Sequence, residues 1–186
     1  LDGVVARHAP LRASFRARSG VPVQVIRPPA PVPLPVLDLR SHLDGEGEVR
    51  RLARTEVRKP LDLETDPVLR ATLVRLSGDR HVLLLVVHHI AFDAWSRNVL
   101  VKDLAALYRA ASGEGESGGG LAPLPFDYLD VVLFQESPLH AERLAVDRAY
   151  WKEQLGPEPL ALELPLDLPR PPSPRFEGLR ETLDVP

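Results

Sequence analysis

The chain has 186 residues, 44% of them hydrophobic, and a formal net charge of −3. That supports one folded domain with its own core and offers no positive field to draw nucleic acid or an anionic membrane. No cysteine is present, which excludes disulfides, thiolate catalysis and cysteine-ligated zinc, and no apolar run reaches the length of a membrane span.

Methionine is absent too, so Leu1 is not expected to be a natural start and the chain reads as part of a longer polypeptide. Its N-terminus lacks the layout of a signal peptide, which makes the cytoplasm the expected compartment.

In chain order, Leu1 to His8 reads as the end of a helix. Leu11–Arg18 and Val21–Arg27 form an expected hairpin around the turn signal Ser19-Gly20. Five prolines between Pro28 and Pro35 predict extended chain. A largely polar helix is predicted from about Glu46 to Arg58, stopped before Pro60. Val68–Leu76 and His81–Val87 are the next strand pair, turned at Ser77-Gly78-Asp79. The run HVLLLVV is apolar at nearly every position, which predicts a central strand buried on both faces.

From Trp95 to Ala111 the period becomes helical, with Leu100, Leu104, Leu107 and Ala111 on one stripe. Gly113–Gly120 is an expected loop. Two further helices are predicted at Tyr128–Glu136 and Pro138–Leu155, then a proline-rich tail and a last strand at Leu179–Val185. Strands and helices are mixed, so the class is α/β or α+β, with a mixed sheet flanked by helices.

The apolar strand ends in His88 and His89, with Asp93, Ala94, Trp95 and Ser96 just beyond. Successive strand residues point to opposite faces. One ring is therefore expected to pack inward and the other to face a cleft, an arrangement poorly suited to holding one metal with both. Metal hydrolysis through His88, His89 and Asp93 is a distant alternative. His8, His42, His81 and His140 read as structural or surface residues, and Trp95, Tyr128 and Trp151 as packing residues.

The stretch HHIAFDAWS resembles the HHxxxDGWS motif of condensation domains of nonribosomal peptide synthetases, which belong to the chloramphenicol acetyltransferase-like acyltransferases. RHAPLRASF (Arg7–Phe15) is similar to the upstream RHExLRTxF of that family. YLDVVLFQ (Tyr128–Gln135) resembles YxDYAxWQ, and YWKEQL followed by LELPLDLPRPP resembles YWxxQL and LPxDxPRP. The motifs occur in the family's order and span almost the whole chain.

The resemblance implies a chloramphenicol acetyltransferase-like lobe. It also implies amide formation between an acyl or peptidyl thioester and an aminoacyl acceptor, each carried on the phosphopantetheine of a carrier protein, with no cofactor held by the chain itself. By the family pattern His89 is catalytic and His88 structural. His89 would take a proton from the attacking amine or hold the amine in place. Asp93 is expected to pair with Arg12, or with Arg7 as second choice. Ala94 stands where the family has glycine. Its N–H remains available to an oxyanion, and the added methyl group would be strained if φ were positive. Ala94, Trp95 and Ser96 are the oxyanion or channel candidates.

The family's first motif and second lobe find no counterpart, so residues 1–186 are expected to form an N-terminal lobe. Such a lobe would be inactive alone and prone to self-association through the face its partner lobe would cover. Two other roles share the motifs: a condensation-like module that only recruits a partner, and an epimerisation domain.

Overall fold

Residues 1–113, 121–156, 165–169, 171–173 and 182–183 are described in the computed structural model. They fall into two units, Leu1–Ser137 and Pro138–Pro186.

The first unit opens with helix α1 (Asp2–Arg7) and a 3-10 turn at Ala9–Arg12. Strands β1 (Ala13–Arg18) and β2 (Val21–Ile26) pair antiparallel. Ser19 (φ 52°) and Gly20 (φ 79°) both take the left-handed conformation that two-residue hairpins require. β1 starts later than the sequence pattern suggested because the 3-10 turn takes Leu11 and Arg12.

After the proline run come β3 (Val36–Asp38), α2 (Gly45–Arg58), β4 (Leu69–Arg75), β5 (His81–Val87), α3 (Ala94–Ala111) and α4 (Tyr128–Gln135). β3, β4 and β5 form one mixed sheet in that order, β3 parallel and β5 antiparallel to β4. Val4 and Val5 of α1, Leu11, Leu69 and Ala71 of β4, and Leu100 of α3 form the buried cluster. Leu85, Val87, Leu104 and Leu107 pack at its rim. The close approach of α1 to α3 needs Gly3, where a Cβ would lie 3.0 Å from Leu107 Cδ1.

β5 corrects one expectation. It is not central, since among the described residues only β4 pairs with it, and none of its residues is fully buried. Hydrophobic periodicity reports what covers a strand's faces, not what pairs with its edges.

Helix α2 has no buried residue, so its ends are held by polar bonds. The Asp44 carboxylate caps its start by accepting the Gly47 N–H at 2.8 Å. At its end, Arg70 on β4 donates to the carbonyls of Glu56 (2.8 Å), Lys59 (3.0 Å) and Pro60 (3.0 Å).

The second unit contains α5 (Pro138–Leu155), begun by the proline that suits a first helical turn. The tail, the expected strand at Leu179–Val185 and the Gly113–Gly120 loop lie largely outside the described residues.

Candidate active site

β5 ends at Val87, and the His88 N–H extends the ladder by one bond to the Val68 carbonyl at 2.8 Å. A turn follows, in which the Ala91 N–H donates to the His88 carbonyl at 3.1 Å. The Ile90 N–H donates to His88 Nδ1 at 3.1 Å, so the neutral ring carries its proton on Nε2. His88 is half-buried and bound within its own turn, while His89 is exposed. The pair thus presents one ring that shapes the loop and one that is exposed.

Asp93 is the N-cap of α3. Its Oδ1 accepts the Ser96 N–H at 2.8 Å and the Ser96 hydroxyl at 2.7 Å. The Ser96 amide, then the Ser96 hydroxyl, hold the carboxyl below the usual aspartate range, and the Trp95 amide and the nearby His89 act the same way. Asp93 is therefore anionic at neutral pH and is no proton donor. The Ser96 and Trp95 amides turn toward Asp93, which leaves Ala94 as the amide of this first turn still to consider for an oxyanion. Ala94 is the first helical residue. Among the described non-glycine residues only Ser19 has a positive φ, so alanine at position 94 is not strained.

The expected arginine partner for Asp93 is not found. Arg12 donates through NH1 to the Arg27 carbonyl at 2.6 Å across the open end of the hairpin. Arg7 donates through Nε to Asp103 at 3.0 Å and through NH1 to the Ala122 carbonyl at 2.7 Å. The reason is local. Asp93 is satisfied by the first turn of its own helix, whereas Asp103 is buried, at 6% exposure, and a buried carboxylate needs a cation.

His8 completes that cluster, its Nε2 lying 2.8 Å from Asp103 Oδ2. Asp103 and the pairing of His8 were missed in the sequence. The signal was there: an aspartate three residues after Leu100, beside the apolar stripe of α3, implies a buried partner.

A pocket of about 140 Å³ opens beside the histidine turn. Pro10 and Leu11 from the 3-10 turn, Ala91 and Phe92 from the histidine turn, and Trp95 and Val99 from α3 supply its apolar wall. Its polar members, His8 and Ser96, are already bonded to Asp103 and Asp93. Among the described residues, no group of three His, Asp or Glu stands close enough to hold a metal ion.

The family model described as "Condensation domain" matches residues 1–186. The chain belongs to the condensation-domain family. A linear gramicidin synthase of Brevibacillus parabrevis is 42% identical over 180 residues, 95% of this chain and 4% of that protein. Among solved structures, the X-domain from teicoplanin biosynthesis aligns with a TM-score of 0.74 at 32% identity, over 91% of this chain and 37% of that one.

The first condensation domain of the calcium-dependent antibiotic synthetase, in complex with a substrate analogue, aligns with a TM-score of 0.63 at 30% identity, over 83% and 37%. This condensation-domain chain thus spans about a third of the length of the solved relatives and a few per cent of the synthase. Its fold is the chloramphenicol acetyltransferase-like one, mixed α/β. No helix among the described residues is long and apolar enough to cross a membrane.

Proposed function

We propose that residues 1–186 form the N-terminal lobe of a condensation domain that joins two carrier-bound substrates through an amide bond. The amine of an aminoacyl group attacks the thioester carbon of an acyl or peptidyl group. The C–N bond forms, the C–S bond breaks, and the amine's proton passes to His89 and then to the departing phosphopantetheine thiolate. The observation that carries this reading is the exposed His89 ring, presented from a turn that His88 and Asp93 hold by their own hydrogen bonds.

His88 and Asp93 shape that turn. Arg7 and Arg12 support the site at a distance, Arg7 by fixing α3 through Asp103 and Arg12 by closing the hairpin. Retention of the exposed His89 argues for chemistry over a role confined to recruiting a partner. Carrier proteins bearing phosphopantetheine are the partners of such a reaction.

The test is His89→Ala in the complete domain, with both carriers loaded. Amide formation should fall by at least 10²-fold, the lower range for a lost acid–base group, with the melting temperature unchanged. Undiminished product would remove His89 from the reaction. The lobe alone should form no amide, because substrates sit in clefts between domains and half a cleft leaves both unheld.

A further inference from the structure

The pocket beside the histidine turn has no part in the chemistry above. It adjoins the site through the chain itself, since Ala91 and Phe92 follow His89 by two and three residues and both line it. Its volume, about 140 Å³, is close to the ~150 Å³ of apolar cavities that hold a benzene molecule. Its two polar members face bonds already made, His8 to Asp103 and Ser96 to Asp93. Its wall is mostly apolar, so it suits an apolar group better than a charged one, whose hydration that wall would not replace.

We propose that this pocket is a side-chain subsite that takes a small apolar group, of leucyl to phenyl size, from one of the two substrates being joined. This rests on the condensation reading above and narrows it to a substrate class. His8 acts as a fixed wall, because Asp103 holds its ring. Val99, on α3 and 37% exposed, lines the pocket from outside the buried cluster, so substitution there alters the pocket without opening the core.

The experiment uses the complete domain and measures kcat/KM with glycyl, leucyl and phenylalanyl carriers. The side chain is varied on the acceptor in one arm and on the donor in the other. Val99→Trp fills the pocket, and the leucyl-to-glycyl ratio should drop tenfold or more in one arm. A change of one methylene in an apolar pocket is worth about 10- to 200-fold. The arm that responds identifies which substrate the pocket reads.

Val99→Ala is the second variant and serves if the tryptophan variant does not fold. It should shift the same arm toward phenylalanyl. If both ratios stay within twofold in both arms, the pocket is filled by protein rather than substrate and the subsite is refuted. If the unmodified domain makes no amide with any pair, the condensation reading fails, and the subsite with it.

Discussion

Asp93 and Asp103 stand on one helix and solve opposite problems. Asp93 is exposed and needs only the amides and hydroxyl of its own first turn. Its carboxyl titrates below the 3.8 of a free aspartate, so the stabilising bonds are fully present above that value and are lost as pH falls through the lower, folded one. A carbon-detected NMR titration should therefore place the Asp93 carboxyl below free aspartate, and Ser96→Ala should move it upward.

Asp103 is buried and depends on Arg7 and His8. Arg7→Met should destabilise the fold by about 3 kcal/mol, the low end for breaking a buried ion pair, because His8 remains to hold the carboxylate. Denaturant midpoints would measure it, and a loss near zero would show that the pair only trades solvation for attraction. The split between the two histidines was legible, since successive strand residues point to opposite faces, and the structure has His88 half-buried and His89 exposed. The choice of arginine partner was not: Arg7 and Asp103 lie 96 positions apart, and pairing at that distance is decided by burial.

At the scale of elements, local pattern was a good guide wherever one period held. β5 and α5 begin and end where the pattern placed them, and α3 differs by one residue at its start. Edges and helix anchors were less readable, because neither leaves a periodic trace. α2 shows this best, a helix with no buried residue whose last carbonyls are gathered by Arg70 from β4. Arg70→Ala should cost about 2 kcal/mol, in the range for hydrogen bonds to a charged donor, and helical circular dichroism should fall with it. Lysine would recover only part, since one ammonium cannot span three carbonyls as a planar guanidinium does.

For the whole molecule, the exposed apolar side chains are numerous. Trp95, expected to be a packing residue, is instead 79% exposed, Phe126 is 72% exposed, and β5 offers one unpaired edge among the described residues. Large apolar patches and open strand edges favour association, so sedimentation should show the average mass of the isolated lobe rising with concentration. A lobe that stayed monomeric at all concentrations would mean that these surfaces are covered from within. The open edge also sets up a race. A strand on the same polypeptide would close it at a rate that does not depend on how much protein is present. A strand from another molecule would close it in proportion to how many molecules there are, so dilution would disfavour pairing between molecules and crowding would favour it.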